Sequence, residues 1–320
     1  MKKVLCLGAG GFICSHMATK LKNDGYYVVG ADLKPPDFSK TDCDEFYQGD
    51  LRNTEFVNNL FIYHNYYDFV LQMAADMGGA LWVFTGEHDA DILHNSAMIN
   101  LNVAKAASNR VGKIFYSSSA CVYPEQIQSE PDNKGLKEHE AYPINCDSDY
   151  GYEKIFSERV YDAFRRNYGL DIRIARFHNI FGVNGTYKGG REKYPAAICR
   201  KVAEAKDSDT ITIWGDGLQT RSFLNVNECL KCVDLLMKSN VTEPLNIGSD
   251  EMISVNDMAK MVIEISGKDL KIEHDLTKPQ GVRGRNSDNT LIKEKLGYAP
   301  KQDLKAEMTK LYNWVNSQII

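Results

Sequence analysis

Short apolar runs alternate through the first half of the chain with stretches whose apolar residues recur at helical spacing. A doubly wound parallel sheet requires that alternation. The apolar runs predict strands over residues 3–7, 27–31, 69–73, 113–117 and 171–176. Helical periodicity between them predicts helices over 12–23, 53–63, 92–108 and 152–167. The second half is less regular. A glycine-rich loop over 184–193 leads into a helix near Pro195, Trp214 to Arg221 reads as a tight turn feeding a strand, and 281–285 reads as an exposed basic loop. No repeat, low-complexity tract or long linker separates the halves. The expected architecture is α/β: a unit over 1–178, and a smaller mixed α/β unit over 179–320 with segments returning to the first. A ligand cleft is expected between them.

Composition narrows the function classes. At 320 residues, with 43% hydrophobic and 25% charged residues, the chain can bury a substantial core. A net charge of −5 gives no electrostatic case for nucleic acid or an anionic membrane, while leaving anionic small molecules open. No apolar run reaches membrane-spanning length, and Met1-Lys2-Lys3 leads straight into a strand rather than a signal peptide. The eight cysteines show no metal-type pairing, and Cys229 and Cys232 read as one helix face. A reducing, cytoplasmic setting without a bound metal is the expectation.

The first strand runs into Gly8-Ala9-Gly10-Gly11-Phe12-Ile13, a glycine turn that opens directly into a helix. Such a Rossmann-type turn lets backbone amides and a helix N-terminus approach a pyrophosphate. Cys14 stands where the third glycine of the G-x-x-G-x-x-G spacing falls, a position that serves close packing. Asp32 closes the next strand, where a carboxylate accepts from ribose hydroxyls and repels a 2′-phosphate, favouring NAD over NADP. Asp50 follows another short strand, beside the expected adenine end. An ordinary glycine turn with a surface acid is the blander alternative.

Tyr150 and Lys154 lie four residues apart, on one helix face if the segment is helical, so the ammonium favours the phenolate. A phenol so tuned takes the proton of a sugar or alcohol hydroxyl while the carbon's hydride leaves for a nicotinamide. That spacing alone is common by chance. The segment from Ser117 to Tyr123 adds the Ser119 hydroxyl and the Cys121 thiol, and the thiol suggests a second proton transfer on the same substrate.

Together these segments resemble the extended short-chain dehydrogenase/reductases that act on nucleotide sugars, and among them the GDP-mannose 3,5-epimerase family. The resemblance is carried by Gly8 to Ile13, Ala74 to Gly79, Ser118 to Glu125, Arg176 to Ile180, Lys188 to Lys193, Trp214 to Phe223, Asn246 to Met252 and Gly281 to Asn289, which span nearly the whole chain. It implies that Gly8, Gly11, Phe12, Ile13, Asp32, Asp50 and Lys154 hold NAD. It implies a hydride-transfer triad of Ser119, Tyr150 and Lys154, and an acid/base pair of Cys121 and Lys193. Gly78, Ser119, Asn179, Glu192, Lys193, Lys201, Gln219, Arg221 and Arg285 match substrate-contacting positions, the basic ones near the diphosphate. The implied activity inverts C3 and C5 of GDP-mannose or a close relative through a transient 4-keto sugar, in a homodimer. Lys193 needs a lowered pKa for this, from burial or from neighbouring cations such as Arg191. His178, Trp214 and the cysteines other than Cys121 are read as structural.

The rivals on this fold are weighed on the same residues. A 4,6-dehydratase needs an acidic pair where Ala120-Cys121 stand. A GDP-4-keto-6-deoxy-sugar epimerase/reductase uses a thiol here but needs net hydride from NADPH, which Asp32 disfavours. A 4-epimerase needs no pairing of Cys121 with Lys193, and a non-catalytic dinucleotide sensor needs none of the set. The stretch from Ala80 to His88, Tyr187 and Tyr194 depart from the family pattern and bear on the sugar accepted.

Overall fold

The computed structural model describes residues 1–278 and 280–319. Its central sheet uses β1 (Lys3–Leu7), β2 (Tyr27–Asp32), β3 (Glu45–Gln48), β4 (Tyr67–Gln72), β5 (Val111–Ser119) and β6 (Ile172–Phe177). A seventh strand, Leu245–Ile247, comes from the second half of the chain and pairs with β6. From that edge the order is Leu245–Ile247, β6, β5, β4, β1, β2, β3, with every pairing parallel. Sheets of this kind are covered on both faces, which is why β1 is an unbroken apolar run with Val4 to Leu7 fully buried.

The helices are α1 (Phe12–Asn23), α2 (Thr54–His64), the short α3 (Ala80–Val83), α4 (Asp89–Ala107), α5 (Asp149–Tyr168) and α6 (Tyr194–Glu204). Met17 and Leu21 of α1 join Leu230 and Val233 of the helix Val226–Lys238 in the core on one face of the sheet. Leu60 and Phe61 of α2, Val103 of α4 and Tyr161 of α5 fill the other. The strand order reverses between β1 and β4, where the carboxyl ends of parallel strands open a crevice for ligands. The helix α5 begins three residues before the sequence expectation, because Ser148 caps it by accepting from the Gly151 amide at 3.4 Å. Tyr150 thus lies in its first turn.

A third apolar cluster joins Ile198 and Val202 of α6 to Met258 of the helix Val255–Ser266 and Met308 and Leu311 of the helix Leu304–Ser317. Tyr187 belongs to it, packed between Phe38 and Trp314 with ring centroids 5.5 and 5.6 Å away. Beside this cluster the strand Thr220–Ser222 pairs antiparallel with Met252–Ser254 and parallel with Gly284–Arg285. The last pairing corrects the expectation of an exposed basic loop at 281–285. Val282, Gly284 and Arg285 are buried, with the Arg283 amide donating to the Gln128 carbonyl at 2.9 Å. Local charge alone had pointed to the surface, and the carboxylate that permits burial lies far away in sequence. Among the described residues, no helix is long and apolar enough to cross a membrane.

Candidate active site

The glycine turn after β1 is shaped for close backbone approach. Gly8 has φ +90°, and a Cβ at Gly10 would collide with the Lys34 carbonyl oxygen. Gly10, absent from the expected cofactor set, is therefore as constrained as Gly8 and Gly11. Its amide donates to an Asp32 carboxylate oxygen at 2.9 Å, which ties the turn to the end of β2. Burial raises the Asp32 pKa, against hydrogen bonds from the Lys34 and Gly10 amides that lower it. No side chain caps α1 at Gly11, so the amides of Phe12 and Ile13 remain available to an anion. Cys14 is buried with its Sγ 3.7 Å from the Leu7 carbonyl, the packing role expected of it. Asp50 is held by Arg52 through hydrogen bonds of 2.6–3.0 Å. These donors, the tight turn and the acid at the end of β2 fit a dinucleotide.

Beyond the turn lies a cavity of about 310 Å³. Gly78, Ser119, Cys121, Tyr150, Asn179, Glu192, Lys193, Lys201, Gln219, Arg221 and Arg285 all line it. It also takes Leu81, Val83, Phe84 and Tyr194, from the positions whose departures were expected to bear on the sugar, and Phe177 and Trp214, which the sequence reading did not place there; Trp214 had been read as structural. Residues from both halves of the chain therefore make one wall.

The reactive end is built where β5 gives way to a turn. Ser119 caps that turn, its Oγ accepting from the Cys121 amide at 3.2 Å. The α5 helix packs directly against it: a Cβ at Gly151 would strike the Cys121 carbonyl oxygen, so only glycine lets Tyr150 and Cys121 come this close. Burial, then the neighbouring Cys121 and Glu153, hold the Tyr150 phenol well above its ordinary pKa, and Ser119 opposes them. Lys154, expected to tune the phenol, is 1% exposed and its Nζ sits 5.4 Å from the Tyr150 ring centroid. The same ammonium lies 5.2 Å from the Tyr116 ring centroid and 3.5 Å from the Glu153 carboxylate.

Arg285 lies against the thiol. Its guanidinium donates to Cys121 Sγ at 3.1 Å, to Asp147 at 2.6 Å and to Gln128 at 2.5 Å. Burial works to lower its pKa, but Asp147 and Cys121 outweigh burial and hold it above the ordinary arginine range. Arg221 has no such carboxylate in hydrogen-bond contact; burial, then the Arg285 charge, push it down to about 9. Burial also lowers the pKa of Lys193, with Cys121 opposing. Burial was one of the two causes expected; Arg191, the example given of the other, stacks on Trp82 at 3.6 Å and pairs with Asp76 at 3.3 Å. The Arg191 carbonyl accepts from the Gly79 amide at 3.0 Å, which fastens the loop carrying Lys193 to the turn carrying Gly78.

The remaining candidates are fixed by their own bonds. Asn179 takes a left-handed φ of +43° and donates to the Ser222 carbonyl at 3.0 Å. Glu192 accepts from the Gly190 amide at 2.7 Å, and Lys201 donates to the Thr212 carbonyl at 2.6 Å. Gln219 lines the cavity and keeps a buried amide oxygen without a hydrogen-bond partner among the described residues. His178 is fully buried on Asn246 at 3.0 Å and pushed down to about 3 by burial, in keeping with a structural role.

Residues 4–248 match the NAD dependent epimerase/dehydratase family. The GDP-mannose 3,5-epimerase of Arabidopsis thaliana is 47% identical over 99% of this chain and 83% of its own length. GDP-mannose 3,5-epimerase 1 of Oryza sativa subsp. indica is 45% identical over 99% and 82%. Among solved structures, the UDP-glucose 4-epimerase of Thermotoga maritima with UDP-glucose superposes with a TM-score of 0.88, at 25% identity over 99% of this chain and 100% of that one. This chain belongs to the NAD dependent epimerase/dehydratase family and, within it, to the GDP-mannose 3,5-epimerases.

Proposed function

We propose that this chain inverts C3 and C5 of GDP-mannose through a transient 4-keto sugar. One observation carries the reading: Cys121 and Lys193 line the same cavity as Ser119 and Tyr150, so groups that handle a hydroxyl proton and a proton-exchanging pair face one substrate. Gly8, Gly10, Gly11, Phe12, Ile13, Asp32, Asp50 and Lys154 would hold NAD, which when bound would supply reversible hydride removal at C4. Tyr150 takes the C4 hydroxyl proton, with Ser119 beside it. The C4 ketone makes the hydrogens on C3 and C5 acidic. Cys121, whose Sγ accepts from the Arg285 guanidinium at 3.1 Å, and Lys193 form the acid/base pair: one removes a proton from one face of the sugar and the other delivers one to the opposite face. Lys201, Gln219 and Arg221 hold the diphosphate and nucleotide, while Gly78, Asn179 and Glu192 keep the ring in register. Asp32 supports NAD over NADP and so weighs against an epimerase/reductase.

Exposed Leu93 and Leu101 on α4 and Tyr152 and Phe156 on α5 form the apolar surface through which two copies pair as a four-helix contact. The eight free cysteines suit the reducing cytoplasm. The test is incubation with GDP-mannose in deuterated water without added cofactor, followed by NMR. Deuterium at C3 and C5 with none at C4 supports the scheme, and Cys121→Ser abolishes that labelling. Label at one carbon alone reduces the enzyme to a single-centre epimerase.

A further inference from the structure

Glu153 lines no part of the cavity, yet it is 1% exposed and adjoins Lys154, which is equally buried. Its Oε1 accepts from Asn100 at 3.0 Å and Ser157 at 2.6 Å. Asn100 is itself fixed by Gln72 at 3.0 Å and Tyr161 at 3.2 Å. The second oxygen, Oε2, is buried without a hydrogen-bond partner among the described residues, and Lys154 Nζ lies 3.5 Å from it. A glutamine would keep both bonds to Oε1 and spare the fold a buried carboxylate. The hydrogen bonds to Oε1 therefore do not account for the charge, which Oε2 sets against the buried Lys154 ammonium, and a carboxylate oxygen buried without a hydrogen bond is costly enough to call for a reason.

We infer that Glu153 is a positioning residue for hydride transfer: its unpartnered oxygen fixes the Lys154 ammonium and balances that charge beneath Tyr150. The inference rests on the reading of Tyr150 as the proton acceptor proposed above. The titratable and charged groups facing Tyr150 and Glu153 are Lys154 and Tyr161 on α5, Cys121 from the turn after β5, and Tyr116 from β5 itself. The facing side chains from α4 and β4 are the neutral Asn100 and Gln72. Lys154 alone would drive the phenol toward ionisation. With Glu153 beside it, the phenol stays protonated until a further positive charge arrives, as it does with an oxidised nicotinamide. The carboxylate thus couples proton release from Tyr150 to the presence of the oxidant.

The test is a tyrosinate absorbance titration of the NAD-loaded protein. The wild type is compared with Tyr150→Phe, and Glu153→Gln with the Glu153→Gln/Tyr150→Phe double variant; each difference isolates one phenol. Loss of the carboxylate is expected to make the phenol ionise about tenfold more readily, a midpoint lower by about one pH unit. The acid limb of deuterium incorporation from GDP-mannose should shift down with it. A wild-type phenol that stays protonated where the Glu153→Gln phenol ionises gives the same answer. Coincident curves, including two phenols protonated throughout the stable range, overturn the proposal. Glu153→Ala makes the same charge deletion if the glutamine variant does not fold. The titration needs no sugar, so a shifted phenol in a protein that never labels GDP-mannose retires the proposed function and leaves the role of Glu153 standing.

Discussion

The cofactor turn and the sugar cavity solve opposite problems. The turn from Gly8 to Ile13 works by removing side chains, so that amides and one carboxylate meet a ligand within a short stretch of sequence. The cavity works by collecting side chains from Gly78 to Arg285, among them Arg285 paired with Asp147 and Arg221 bonded only to carbonyls. Backbone sites are therefore intolerant of bulk, whereas side-chain sites are intolerant of lost protons and charges.

That contrast can be broken or sharpened. The largest effect is expected from Tyr150→Phe, which removes the hydroxyl proposed as proton acceptor and leaves the glycine turn untouched. Turnover measured by NMR should fall about 10²–10⁴-fold, with NAD content after purification unchanged. Gly10→Ala should do the reverse, because the new methyl strikes the Lys34 carbonyl. Loss of at least about tenfold in NAD affinity by calorimetry is expected, with the cavity intact; normal NAD binding would sink the backbone account. The smallest effect concerns stability. Burial depresses the pKa of Lys193, so the folded chain binds its proton less readily than the unfolded chain does. The cost of burying the ammonium is full below the folded-state pKa and disappears as pH rises to the ordinary lysine value of 10.5. Lys193→Met should thus raise the unfolding temperature at neutral pH, by a margin that shrinks toward alkaline pH, while abolishing epimerisation.

The same contrast explains what the sequence could reveal. Strands, helices and the glycine turn of the first half were legible because each depends on residues close together in the chain. Gly10 was missed because the glycine spacing directs attention to Gly8 and Gly11, while its collision partner lies on another strand end. Cys121 stood out locally, two residues after Ser119, whereas Lys193 and Arg285 came into view through family resemblance, since nothing local links positions so far apart. Glu153 escaped notice because an acidic residue in an amphipathic helix reads as solvated. Its burial depends on Asn100 and Ser157 meeting it across α4 and α5. Arg285 was misplaced on the surface for the same reason: its carboxylate partner, Asp147, precedes it by more than a hundred residues.

One buried carboxylate, Asp147, stands against two guanidiniums: it is salt-bridged to Arg285 and acts on Arg221 only through space. A polyanion docking against that wall neutralises the surplus cation and binds the folded chain but not the random coil. Nucleotide diphosphates should therefore act as thermal protectants in proportion to the logarithm of their concentration. Guanosine, which lacks the phosphates, should protect far less.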